Sequence, residues 1–127
     1  MARLKTNIRA AALIRRAQSA GAFAAVLRRG DPDAGALWVI LRQGPKLMRY
    51  TEQMSMTGGR DWFEEGPFEE ADLQLKTNKA VDRDPDLWVV EVEDRQGRAF
   101  LDGELSTQKS QADLDAAAAA KALFRGR

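Results

Sequence analysis

The sequence contains no cysteine and no histidine among its 127 residues. This excludes a disulfide framework, zinc and haem sites built on those two residues, a cysteine nucleophile and an imidazole general base. A chain that holds itself together by core packing alone suits a reducing compartment, so we expect a cytoplasmic protein. It also lacks any apolar run of roughly 18 residues or more, so no membrane-spanning segment is expected.

Acidic residues are missing from a long stretch at the beginning of the chain. Residues 1–30 carry seven basic residues and no acid, whereas residues 61–94 carry twelve acids and three basic residues. The formal net charge of only +1 conceals this asymmetry. The two regions could neutralise each other on one surface, or they could form separate basic and acidic surfaces for charged partners.

The overall composition, 44% hydrophobic and 31% charged residues, is typical of one folded domain. Helical periodicity predicts a first helix from a cap at Asn7 to a stop at Gly21, and a second over residues 69–81. Apolar or alternating runs predict strands at residues 22–27, 36–41, 46–51, 60–64, 87–94 and 99–101. The pattern at residues 60–64 is the least regular of these.

Short turns between these runs favour hairpins, the first of them joining residues 22–27 to residues 36–41. We therefore expect an α+β domain over residues 4–103, with a mostly antiparallel sheet of about five strands and two helices packed on one face. Residues 104–127 are rich in alanine and predict a helical or partly disordered tail. The predicted core comprises Ile14, Phe23, Val26, Trp38, Ile40, Trp88, Val90 and Val92.

An Asp-Pro-Asp tripeptide occurs twice, at residues 31–33 and 84–86, each time shortly before an apolar strand. An aspartate accepts backbone N–H bonds in turns, and proline fixes one backbone angle there. Both tripeptides are therefore predicted to be structural turns.

No motif in the sequence indicates catalysis. The serines lack a Gly-x-Ser-x-Gly elbow, and Gly58-Gly59-Arg60 lacks the residues that follow in a phosphate loop. Chemistry by paired carboxylates remains formally open at Glu91, Glu93 and Asp94, although neighbouring acids on a strand face are usually solvated. We therefore assign no catalytic, cofactor-binding or metal-binding residue and expect a protein that is not an enzyme.

The favoured function is a protein-interaction or regulatory module with separate basic and acidic surfaces. Glu91 and Glu93 are the candidate contacts for a basic partner. The alternative is nucleic-acid binding, although a pI of about 8.1 is lower than such domains usually have. A small-molecule binder and a carboxylate-based enzyme are less favoured. The candidate contacts for nucleic acid or an acidic protein are Lys5, Arg9, Arg15, Arg16, Arg28 and Arg29.

Two blocks of the sequence resemble a small, uncharacterised alphaproteobacterial family, a domain of unknown function. They are GAFA at residues 21–24 followed by RGDPDAGA at 29–36, and DPDLWVVEVEDRQGR at 84–98 followed by Phe100-Leu101. The likeness covers about residues 4–101 and departs from the family pattern at residues 76–79. It implies a bacterial cytoplasmic protein with no assigned activity and no known cofactor, and it supplies no functional residue.

Overall fold

The computed structural model describes residues 4–54 and 60–106 and contains two helices and one mixed sheet. The six strands follow the spatial order β1-β5-β2-β3-β4-β6, which confirms the predicted single α+β domain. In chain order the elements are α1 (Thr6–Ser19), β1 (Phe23–Arg28), β2 (Leu37–Gln43), β3 (Lys46–Met54), β4 (Arg60–Glu65), α2 (Glu70–Arg83), β5 (Trp88–Glu93) and β6 (Glu104–Leu105).

Strand β5 lies between β1 and β2, so the predicted hairpin of residues 22–27 with residues 36–41 is wrong. β5 is antiparallel to β1 and parallel to β2, and β6 is parallel to β4. The remaining strands, β2 to β4, form the expected antiparallel meander. A strand that is apolar on both faces belongs inside a sheet, and β5 meets that requirement with Val89 on one face and Val90 on the other.

The helices lie on opposite faces of the sheet rather than together on one face as predicted. Ala10 and Leu13 of α1 pack in one core with Val39 and Val90. Leu73 of α2 packs in a second core, on the other face. The physical reason is that the central strands have apolar side chains on both faces, and each face needs a helix to cover it.

The predicted core is largely confirmed, with one clear exception. Phe23 is exposed because it lies on an edge strand and on the face of that strand away from α1. Ile14, Val26 and Trp38 are half-buried. Trp62, in the strand with the weakest sequence pattern, is fully buried. The other predicted members are buried as expected, namely Ile40, Trp88, Val90 and Val92.

Backbone carbonyls, rather than a side chain, cap the N-terminus of α1. The N-cap position is Lys5, so the expected cap at Asn7 is wrong. The backbone N–H groups of Thr6 and Asn7 donate to the carbonyls of Asp33 and Pro32. These bonds satisfy donors that the first helical turn leaves free. The helix ends as predicted, with Gly21 at φ +87°.

The two Asp-Pro-Asp segments pack against each other as structural turns. The Asp31 backbone N–H donates to the Asp86 carbonyl over 3.0 Å. A Cβ atom at Gly30 would lie 1.9 Å from the same carbonyl oxygen, so only glycine permits this approach. The first turn therefore holds both α1 and the residues that lead into β5.

After β5 the chain folds into a turn and a loop, and the strand predicted at residues 99–101 is absent from the described structure. Phe100 has φ +58°, a left-handed conformation that is uncommon for a non-glycine residue. The Arg16 guanidinium donates to the Phe100 carbonyl over 2.6 Å and holds this loop against α1. The first two residues of the segment predicted as a tail, 104 and 105, form β6 instead, and the tail from residue 107 onward lies outside the described residues.

The turn after β5 makes the stability of the fold depend on pH in the acid range. Hydrogen bonds from the Arg98 side chain, together with its backbone N–H and positive charge, lower the pKa of Asp94 to about 2, against the opposing effect of desolvation. An unfolded aspartate has a pKa of about 3.9. Because the folded value is the lower one, this stabilisation is complete above about pH 4 and is lost as the pH falls toward 2.

We expect Asp94→Asn to remove this part of the pH dependence. Urea denaturation between pH 5 and about pH 2 should show a shallower loss of stability in the variant than in the wild type. Glu93→Gln, one residue earlier on an exposed side chain, is the matched control and should follow the wild-type curve. Parallel curves for wild type and Asp94→Asn would contradict the assignment.

Candidate functional site

A groove of about 720 Å³ lies between α2 and the sheet. Leu27, Ile40 and Val89 from three neighbouring strands contribute apolar surface to it. Leu73 and Val81 line it from α2. Its volume is in the range of sites that bind small-molecule ligands. The groove is therefore the main candidate site in the described structure.

The groove exists because α2 has little apolar surface to bury. Of its 14 residues only Leu73 is buried, and Ala80 and Val81 are half-buried. The Thr77 hydroxyl donates to the Leu73 carbonyl of its own helix over 2.8 Å instead of to the sheet. Small or polar side chains at these positions leave the space between helix and sheet unfilled.

Ion pairs on Arg42 hold the N-terminal end of α2 to the sheet. The Arg42 guanidinium donates to Glu91 of β5 over 2.9 Å and to Glu70 in the first turn of α2 over 2.8 Å. Glu91, a predicted contact for a basic partner, is thus already bound inside the fold. Glu93, the other predicted contact, remains exposed on β5 beside Phe23 of β1.

Two arginines at the end of β1 also line the groove. Arg28 donates through Nη2 to the Pro85 carbonyl over 3.0 Å, and its Nε is buried without a hydrogen-bond partner. The Arg29 guanidinium lies 5.3 Å from the centre of the Trp88 ring. Neither forms an ion pair with any residue that the structure describes. Two positive charges are therefore available at this part of the groove.

Strand β1 is one edge of the sheet and pairs only with β5 among the described strands. Phe23 and Leu27 lie at alternate positions and are 59% and 55% exposed. Phe23 and Ala25 lie opposite Glu93 and Glu91 of β5, on the face where Glu91 and Leu27 line the groove. The apolar surface of the groove therefore continues along the edge strand.

The structure does not bring the six predicted basic contacts together. Lys5, Arg15 and Arg16 belong to α1 and its cap, on the face opposite the groove. Lys5 pairs with Asp33 at 3.5 Å, both side chains being exposed. Arg28 and Arg29 line the groove on the α2 side, so the basic residues are divided between the two faces.

Arg9 does not contribute to either surface, because it is 4% exposed and paired inside the fold. It donates to Asp102 over 2.8 Å and to Glu52 over 2.9 Å. The Trp62 indole N–H also donates to Asp102 over 3.2 Å. Burial raises the pKa of Asp102, but the hydrogen bonds and charge of Arg9 outweigh it and bring the pKa below its usual value. This cluster is structural.

Sequence reasoning missed the groove, although part of its signal was present. Arg42 lies two residues after Ile40 on β2, so strand alternation places both on the same face. Similarly, Arg9 lies four residues before Leu13, on the buried stripe of α1, which indicates its burial. The unfilled space between α2 and the sheet is not indicated by any local pattern in the sequence.

The described ranges, 4–54 and 60–106, lack two other features. No three acidic side chains there are placed to hold a metal ion. Neither helix in those ranges has the length and apolar character needed to cross a membrane.

Comparison with known proteins identifies relatives of known structure. A family model described as a protein of unknown function (DUF1491) matches residues 4–102. A crystal structure of a DUF1491 family protein from Caulobacter crescentus CB15 is 42% identical, with a TM-score of 0.76, and the match covers 82% of this chain and 100% of that one. A solution structure of a protein from A. tumefaciens is 29% identical, with a TM-score of 0.70, covering 84% and 99% of the two chains. The search of curated proteins finds no match.

Proposed function

Since the chain belongs to the DUF1491 family of proteins of unknown function, we propose that it is a non-enzymatic protein-interaction module. Its binding site is the groove between α2 and the sheet, where it holds a segment of a partner protein. One observation carries the proposal: the groove combines exposed apolar surface at Leu27 with Arg28 and Arg29, which have no carboxylate partner among the described residues. Apolar surface beside accessible charge is typical of sites that recognise polypeptide.

The polar groups of the groove favour binding over catalysis, because only one of its three carboxylates, that of Asp82, is outside the ion pairs of the described residues. Glu70 and Glu91 are both bound by Arg42, which leaves neither free as a general base. The Thr77 hydroxyl is engaged by its own helix. Carboxylates held in ion pairs stabilise the site and orient α2, and they do not require a substrate to explain their positions.

The division of the basic residues favours protein over nucleic acid as the partner. Nucleic-acid affinity comes mainly from several cations contacting phosphates along one surface. Here Arg28 and Arg29 lie on the groove face and Arg15 and Arg16 on α1, across the sheet. Two cations next to leucine and valine side chains fit an acidic and apolar peptide better than a phosphate backbone.

We also propose that the protein acts in the cytoplasm. The support is its cysteine-free composition, since a fold held by its two cores and by ion pairs needs no oxidising compartment.

Leu27→Gln is expected to weaken peptide binding at least tenfold. The test selects peptides from a random display library on the full chain and measures the affinity of enriched peptides by fluorescence anisotropy. Leu27 lines the groove and is 55% exposed, so the change removes contact surface with little effect on folding. Leu75→Gln is the matched control, because Leu75 is 60% exposed on α2 and is not part of the groove lining.

Three outcomes would overturn the proposal. The first is the absence of any enriched peptide, and the second is equal binding to both leucine variants. The third is tight binding to duplex DNA or RNA that falls log-linearly with salt, which would establish the nucleic-acid alternative instead. Melting curves of both variants verify that they remain folded.

A further inference from the structure

The outer edge of β1 has little of the usual protection of an edge strand, and its one irregularity is a register shift against β5 between Val26 and Arg28. Natural edge strands are kept short, or carry charged residues or proline that block pairing with another chain. At the opposite side of the sheet, β6 has only two residues. β1 has six residues, and its first five, Phe23-Ala-Ala-Val-Leu27, contain no charge and no proline. The regularly paired part of β1, from Phe23 to Val26, is therefore able to accept another strand on its outer edge.

The side chains of β1 alternate between the two faces of the sheet. Ala24 and Val26 face the α1 core, and Ala24 is buried there. Phe23, Ala25 and Leu27 take the other face, and Leu27 reaches the groove. A strand added beside β1 would place every second side chain next to the groove, which is how strand addition obtains specificity.

Charges at the two ends of β1 indicate the chemistry of the added strand. Arg28 and Arg29 follow its last apolar residue, whereas Glu93 lies beside Phe23 at its beginning. Within the described chain none of the three has an ion-pair partner. In an antiparallel arrangement, which is the more stable one per residue, the amino end of the added strand meets the arginines.

We propose that the partner segment binds as an extra β-strand, antiparallel to β1, with acidic residues at its amino end and apolar residues at alternate positions. The acidic residues face Arg28 and Arg29, and the apolar ones extend over Leu27 and the groove. This inference rests on the proposed function and adds to it the conformation, direction and charge of the partner.

A designed peptide tests the proposal on the full chain. The probe has two aspartates, then five alternating valines and threonines beginning with valine, then a lysine, with both ends blocked. Successive N–H groups of a strand point to opposite edges, so the valine amides face one edge and the threonine amides the other. One variant peptide is N-methylated at two valine amides, and a second variant at two threonine amides. The variant whose methyl groups face β1 should bind at least tenfold more weakly than the parent peptide. The other variant should bind like the parent.

The order of charges in the probe is tested separately. Reversing the sequence, so that the aspartates come last, should weaken binding, because the acids then lie at the end of β1 that is nearest Glu93 and farthest from the arginines. Arg29→Gln should weaken binding of the parent peptide about threefold but leave a version with asparagines unchanged. Arg15→Gln, on the opposite face, is the control and should have no effect.

The outcomes separate this inference from the proposed function. If both methylated peptides bind like the parent, or both fail, strand addition is wrong. If the designed peptide does not bind while library peptides bind in a Leu27-dependent way, the groove recognises polypeptide but the partner chemistry proposed for β1 is wrong. If neither kind of peptide binds, the proposed function fails with it.

Discussion

Trp88→Ala should lower the free energy of unfolding by about 3–5 kcal/mol. Trp88 is 2% exposed and begins β5, the strand that connects β1 to the rest of the sheet. Its indole N–H also donates to the Asp31 carbonyl over 2.7 Å, which joins the core to the first Asp-Pro-Asp turn. The substitution removes both the packing and this bond, and urea denaturation followed by circular dichroism measures the loss.

Two further variants identify the cause of that loss. Trp88→Phe keeps most of the apolar volume and should cost only about 1–2 kcal/mol, from the lost indole hydrogen bond and the smaller ring, since the Asp31 carbonyl still accepts the Gly35 N–H. Trp38→Ala, at a half-buried tryptophan, should cost less than Trp88→Ala. An unchanged denaturation midpoint for Trp88→Ala would show that β5 does not have the central role described here.

Arg9→Met is expected to destabilise the fold by about 2–3 kcal/mol. Methionine fills a similar volume in α1 but leaves Glu52 and Asp102 without their shared cation. Removing one partner of a fully buried pair costs roughly 3–5 kcal/mol. The two acid side chains are 17% and 28% exposed, so water compensates part of that cost.

Lys5→Met is the control for Arg9→Met, because Lys5 forms an exposed ion pair on the same helix end. Such a pair contributes about 0–1 kcal/mol, so the variant should be close to wild type. Adding Asp102→Asn to Arg9→Met should recover part of the loss, since one uncompensated charge is removed. Equal, small effects of Arg9→Met and Lys5→Met would mean that the buried cluster does not stabilise the protein.

Most of the elements could be predicted because each is determined by residues close together in sequence. The stripe of Ala10, Leu13 and Ala17 gives α1 its buried face, and Gly21 provides the left-handed stop. The order of the strands could not be predicted in the same way. The runs that became β1 and β2 are both rich in apolar residues, and no local pattern states that β5 lies between them.

For a similar reason, only some residues of the candidate site could be predicted from the sequence. Arg28 and Arg29 were found because charge is visible in a sequence. Their association with Leu27 and Arg42 depends on where α2 lies, and α2 packs mainly through a single buried residue, Leu73. A site formed by such a weakly packed helix leaves little periodic signal. Membership of the uncharacterised family was predictable, since it depends on two contiguous sequence blocks.

The position of β5 also determines the order in which the protein can fold. β2, β3 and β4 are close in sequence, so their meander can form early. The pairing of Leu37 with Trp88 closes a much longer loop, at a greater entropic cost and a slower rate. β1 has β5 as its strand neighbour, and therefore cannot join the sheet until that loop has closed. During synthesis, β1 leaves the ribosome before the other described strands, yet it is among the last to reach its final position.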